Sequence, residues 1–289
     1  MDCPALDRAP DSPMTNSTLF LVTVLIWGST WFAIEFQLGV VAAEVSLAYR
    51  YLLASGIAFM WCWWRRISLR FDMASHALFA MLGVFLFGLN YLSAYKAQLY
   101  ITSALNAIGF SALVWMNIIN ARIFFRARTD PRTYVGALLG FAGIVIVFWP
   151  SVQRLSWSDT ILLGAILSLL GALLASFGNM VSHSIQQRSI GIMQANAWGM
   201  LYGAILNAAI AVGTGTPFNF DPSANYVLSL IYLAGLGSVV AFACYLDLIS
   251  RIGVQRAGYT AVMVPVVALI LSVLFEGLIL DRYIMTGVI

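Results

Sequence analysis

Apolar runs of about 20 residues, separated by short loops, recur from Leu19 almost to the end of this 289-residue chain. No other feature limits the fold so severely. The hydrocarbon core of a bilayer takes about 20 apolar residues per helix. Inside it the backbone must satisfy its own polar groups, so each run has to be helical. Composition agrees: 61% of residues are hydrophobic and 9% charged, with a mean hydropathy of +0.89. The expectation is an all-α, multi-pass integral membrane protein with no stretch left over for a soluble catalytic domain.

Nine spans are predicted, at 17–36, 43–64, 74–95, 101–125, 133–150, 160–182, 192–213, 226–250 and 258–277, and a tenth begins near Tyr283. Seven helical residues cover only about 10 Å of a core about 30 Å thick. The tenth helix is therefore expected to be cut short in this sequence. Residues 1–16 are polar and hold three prolines, which predicts a disordered tail and no signal peptide.

Positive charge alternates between the loops. Arg8, Arg65, Arg66, Arg70, Arg122, Arg126, Arg128, Arg132, Arg188, Arg251 and Arg256 fall on one side of this span list. Lys96, Arg154 and Arg282 fall on the other, and Arg50 lies inside span 2. Eleven against three puts the N-terminus in the cytoplasm. Since the arginines serve orientation, the net charge of +3 marks no nucleic-acid partner.

The two halves superpose at an offset of 151 residues: Ile101-Thr102-Ser103 falls on Ile252-Gly253-Val254, Val114 on Pro265 and Gly136 on Gly287. Five spans is an odd number, so the second half enters the membrane from the opposite side. Such inverted repeats belong to secondary transporters, whose substrate site lies near the midplane where the repeats meet. The organisation predicted is a cytoplasmic tail at 1–16, a first five-helix repeat at 17–150 and an inverted second repeat at 151–289.

Several stretches carry a family resemblance. Span 1 reads Leu25-Ile26-Trp27-Gly28-Ser29-Thr30-Trp31-Phe32-Ala33-Ile34, span 2 holds Ala48-Tyr49-Arg50-Tyr51-Leu52-Leu53-Ala54, and span 5 is glycine-spaced from Gly136 to Gly143. The second repeat opens with Gly171 to Ser182, including Phe177-Gly178-Asn179, and Pro265 is central in span 9. In this order the chain resembles an EamA-type member of the drug/metabolite transporter superfamily. That resemblance implies ten helices in two inverted repeats, with helices 1, 3, 4, 6, 8 and 9 around a central cavity and helices 5 and 10 as scaffold. It also implies amino acids or other small metabolites as cargo, often moved outward, as in aromatic amino acid exporters of the YddG kind. The chain departs from the family where helix 4 commonly has proline: Val114 stands there, so helix 4 is expected to lack the kink that Pro265 gives helix 9.

Candidate site residues follow from polarity and depth. Ser103, Asn106, Phe110, Leu113, Asn117 and Asn120 share one face of helix 4. Asparagine facing lipid is costly, so this face meets either a cavity or hydrogen-bonding neighbour helices. The equivalent face of helix 9, with Val254, Ala257, Ala261, Val264, Ala268 and Leu271, is smooth. Thr23, Trp27, Thr30 and Trp31 on helix 1, Asn90, Tyr91 and Tyr95 on helix 3, Trp115, Tyr245 and Tyr259 complete the aromatic and polar candidates. Ser176 and Asn179 share a face of helix 6 with Ser168, Ala172 and Ala175, where small residues also permit close packing. Glu35, Glu44, Arg50 and Lys96 approach the outer face and are expected to form a charge cluster or an outer gate.

Several function classes are disfavoured. No span has a carboxylate near its middle, which points away from proton-coupled export of lipophilic cations and toward neutral or zwitterionic cargo. No G-x-x-x-x-G-K-S/T loop is present for ATP-driven pumping. Cys3, Cys62 and Cys244 show no metal spacing, and acids and histidines do not gather as in an integral-membrane enzyme. The reading is a secondary transporter in a bacterial inner membrane, without cofactor, whose partners are a small-molecule substrate and lipid. Uptake or exchange of another metabolite is the alternative within transport. Gly199 and Gly203 allow a close helix contact within or between subunits, leaving monomer or homodimer open.

Overall fold

A computed structural model describes residues 14–126, 134–136, 138–140, 142–143, 146, 160–277 and 282–288. The tail at 1–13, half of span 5 and the predicted repeat boundary at 150/151 lie outside the described residues. Seven described helices are long and apolar enough to cross a membrane: α1 (Asn16–Glu35), α2 (Ala43–Trp64), α3 (Met73–Gln98), α4 (Ser103–Phe125), α5 (Thr160–Gln186), α6 (Ile192–Gly213) and α7 (Ala224–Ile252). A shorter apolar helix, α8 (Tyr259–Phe275), and the seven-residue α9 (Arg282–Val288) follow. Thus α5 to α8 are spans 6 to 9.

Local chemistry sets the helix ends. Thr15, Asp72, Thr102 and Ser223 act as N-caps, each side chain accepting a backbone N–H inside the first turn. Gly253 closes α7 at φ +84°, a conformation open to glycine without steric cost. The helix α3 runs three residues past its predicted end. Its Gln98 amide is buried and donates to the Trp31 carbonyl at 2.8 Å and the Glu35 carboxylate at 3.2 Å, so a polar residue continues the helix by docking on the end of α1.

The packing has a two-fold pattern. The helix α1 packs on α8 and α7 as α5 packs on α4 and α3, while α2 packs on α7 as α6 packs on α3. The pairs α2 with α6 and α4 with α8 lie on the axis relating the halves. The start of α5 sits beside Tyr100 and Ile101, at the end of the molecule where Glu35 closes α1. The second repeat therefore runs opposite to the first.

Loops sort onto the ends that the arginine count assigns. At one end Arg251 donates to the Met14 carbonyl and pairs with Asp247, while Gln194 and Trp198 donate to the carbonyls of Ser68 and Leu69. At the other, Asn219 donates to the Val40 carbonyl and Thr216 to the Glu44 carboxylate.

Two irregularities repeat at the same offset. A π-helical segment interrupts α3 at Gly83–Leu89 and α7 at Leu233–Val240; adding 151 to 83–89 gives 234–240. The first packs against α6, where Gly83 faces the Gly199 carbonyl and the Gly203 N–H so closely that no side-chain carbon fits between them. The Gly199–Gly203 pair thus serves a contact within one chain. Helix 4 corrects an expectation. It lacks proline, yet α4 breaks at Ser111–Ala112 between Ser103–Phe110 and Leu113–Phe125. The Ser111 hydroxyl donates to the Ile108 carbonyl at 2.6 Å, a back-bond that bends helices. By contrast α8 continues through Pro265.

Candidate functional site

The spans converge on a cavity between the repeats. Its aromatic wall comes from Trp27 and Trp31 of α1, Tyr91 of α3, Phe110 of α4, and Phe242 and Tyr245 of α7. Each of these rings, Phe110 and Tyr245 included, lies well inside a long apolar helix, where aromatic packing outweighs any interface preference. Trp27 meets Phe242 at 5.0 Å and Tyr245 at 4.7 Å between ring centroids, and Trp31 meets Phe110 at 5.3 Å. The Trp27 indole N–H donates to the Gly237 carbonyl at 3.2 Å. That bond ties α1 of the first repeat to the π segment of α7 in the second.

Polar groups in the wall are few. Thr30, Asn90, Ser111 and Asn179 line it, and among the described residues no carboxylate does. The Asn90 amide donates to the Leu86 carbonyl at 2.9 Å, which leaves its own oxygen buried and unpaired. Ala261 and Val264 supply the smooth portion expected of helix 9. Pro265 has no N–H to give the Ala261 carbonyl. The free volume is about 70 Å³, room for a few ordered waters. A larger groove of about 390 Å³ beside Phe85, Phe124 and Phe177 has Ser184 as its polar lining; it lacks the convergent polar groups of a recognition site.

Nine sequence candidates line this cavity: Trp27, Thr30, Trp31, Asn90, Tyr91, Phe110, Leu113, Asn179 and Tyr245. Other candidates do not. Asn106 donates to the Ala94 carbonyl at 2.8 Å, Asn120 to the Ser176 hydroxyl at 2.8 Å, and Asn117 accepts from Asn179 at 3.2 Å. The helix 4 amides therefore bind α4 to α3 and α5, and Asn117 stands behind Asn179. Thr23 bonds the Leu19 carbonyl of its own helix. Tyr95 accepts from Arg50, Trp115 is half-buried outside the wall, and Tyr259 is exposed.

The four charges do not assemble. Glu35 accepts from Gln98 and Glu44 from Thr216, and Lys96 is exposed. Arg50 is fully buried, with Nε donating to the Ser238 hydroxyl at 3.1 Å and Nη1 to the Tyr95 hydroxyl at 3.3 Å. Sequence reasoning missed Phe242, Ser111 and Leu86 as wall residues. An apolar residue in an apolar span carries no mark of the cavity it faces.

Comparison with known proteins matches this architecture. The chain is 28% identical over 262 residues to the inner membrane transporter YedA of Escherichia coli, described as uncharacterized, covering 89% of this chain and 82% of that protein. It is 25% identical over 237 residues to an uncharacterized transporter of Archaeoglobus fulgidus, covering 78% of this chain and 77% of the other. A solved crystal structure shares the fold with a TM-score of 0.72 at 16% identity, over 94% of this chain and 92% of that one. The sequence model of the EamA-like transporter family matches twice, over residues 15–149 and 162–289. With one match on each repeat and apolar helices throughout, this multi-pass membrane protein belongs to the EamA-like transporter family.

Proposed function

We propose that the protein is a secondary transporter that alternates access by rocking of its two inverted repeats, residues 17–150 and 151–289, around the central cavity. Its cargo is apolar or aromatic amino acids or closely related small metabolites, moved outward across a bacterial inner membrane, with the N-terminus in the cytoplasm. The observation that carries this reading is the wall itself: aromatic rings from both repeats enclose a small space with isolated amide and hydroxyl groups. Rings of that kind suit an apolar side chain, and the amides suit a polar backbone. A volume of about 70 Å³ requires the walls to part before such a cargo enters, which alternating access provides.

Purified protein in liposomes preloaded with labelled amino acids tests the proposal. Efflux of apolar or aromatic members is expected above that of protein-free vesicles, with and without an imposed proton gradient to read coupling. Absence of efflux for every amino acid would overturn the cargo assignment.

A further inference from the structure

Among the described residues Arg50 is a buried charge without a counter-charge. It sits about 10 Å into α2 from Ala43, at 1.5 Å per residue, and is fully buried. Its contacts are neutral: the hydroxyls of Ser238 and Tyr95, and the ring faces of Tyr91 at 4.7 Å and Tyr51 at 5.3 Å. Among the described residues the single ion pair is Arg251 with Asp247, and Glu35 and Glu44 are engaged elsewhere. Intramembrane charge is costly and marks substrate or ion pathways; an unpaired one seeks an anion.

The guanidinium lies one residue behind the cavity wall. Tyr91, whose ring it faces, is a wall residue. Nη2 is 3.7 Å from where a side-chain carbon on Gly237 would stand, and the methyl of Thr30, another wall residue, is 2.8 Å from that point. Without a side chain at Gly237, this part of the wall stays thin. On the same wall, the unpaired Asn90 oxygen lacks a donor.

We propose that Arg50 is the specificity-determining charge of the cavity. The cargo is a carboxylate-bearing small molecule whose carboxylate seats on the Thr30–Tyr91–Gly237 side, with its amine donating to the Asn90 oxygen. The inference rests on the amino acid cargo proposed above and adds which of its groups is read, and by what. In a low-dielectric site the positive charge attracts the carboxylate and repels analogues that carry only an ammonium.

The test is competition against labelled phenylalanine uptake in proteoliposomes. Phenylalanine, phenylalaninamide (carboxylate removed) and 3-phenylpropionate (amine removed) are compared on wild type and on folded Arg50→Gln and Asn90→Leu. Wild type is expected to prefer phenylalanine over the amide by about tenfold or more, a difference equivalent to about 1.4 kcal/mol. Arg50→Gln should close that gap to about twofold, and Asn90→Leu should narrow only the gap between phenylalanine and phenylpropionate. Equal competition by phenylalanine and its amide in wild type overturns the inference while leaving the transport reading intact, even if Arg50→Gln does not fold. A gap that persists in folded Arg50→Gln also overturns it. No uptake of any labelled amino acid by wild type overturns the cargo reading and the inference together.

Discussion

Replacing Gly83 by alanine puts a methyl group where the structure has no room. The added carbon would lie 2.6 Å from Tyr202 Cβ, 2.7 Å from the Gly199 oxygen and 2.8 Å from the Gly203 nitrogen. Two of those atoms are backbone, so no rotamer change relieves them and α3 must move off α6 by several tenths of an ångström. A gap of that size forfeits a good part of the dispersion energy along the contact, and overpacking of this kind costs about 1–3 kcal/mol. The gain in helix propensity from glycine to alanine returns about 1 kcal/mol, leaving a net loss of up to about 2 kcal/mol. Gly56 provides the contrast: it lies in α2 with nothing within 4 Å of its missing side chain, so Gly56→Ala keeps the propensity gain alone. Thermal unfolding in detergent, followed by the loss of monodisperse protein on size exclusion, should move the two variants in opposite directions from wild type. Gly83→Ala melting above wild type, as Gly56→Ala should, would refute the close approach of α3 to α6.

Phe242→Ala and Asn120→Ala separate wall from scaffold. Phe242 packs on Trp27 and Phe87 at 5.0 Å each, and its removal is expected to raise the transport KM about tenfold or more. Loss of the Asn120–Ser176 bond should cost about 1 kcal/mol of stability and leave KM unchanged, read from transport kinetics at matched amounts of folded protein. Asp72 supplies a pH test. Its carboxylate accepts the Ser75 N–H at 3.0 Å, and the Ser75 hydrogen bonds hold its pKa below the ordinary 3.8. A pKa depressed on folding contributes stability above the unfolded value and loses it as pH falls through the folded one. The neutral-pH melting advantage of wild type over Asp72→Ala should therefore shrink below pH 3.8 and vanish once the folded carboxyl is protonated.

Much of the architecture was legible from residues 17–277, because hydrocarbon permits few solutions for a 20-residue apolar run. The arginine alternation placed loops that the structure brings together, as with Arg251 and Met14. Boundaries failed where a polar residue found a partner on another helix, as Gln98 does. The helix 4 amides show the same limit within a site. Their shared face was readable, but whether it met space or another helix depended on neighbours that a single helix's periodicity does not name. The depth of Arg50 was evident; its partners were not, since acids at helix ends suggested ion pairs whereas tyrosine faces and hydroxyls surround it. The π segments had no sequence signal beyond scattered glycines. Their recurrence at one offset emerged only in three dimensions.

The helices on the axis, α4 and α8, depart from regular hydrogen bonding by different chemistry: a serine hydroxyl turned back on Ile108 in one, an imino acid in the other. A hydroxyl can release its carbonyl by a single χ1 rotation, whereas a pyrrolidine ring has no N–H to restore. The break in the first half therefore rests on a bond that can let go, whereas the missing donor in the second half is fixed by a covalent ring.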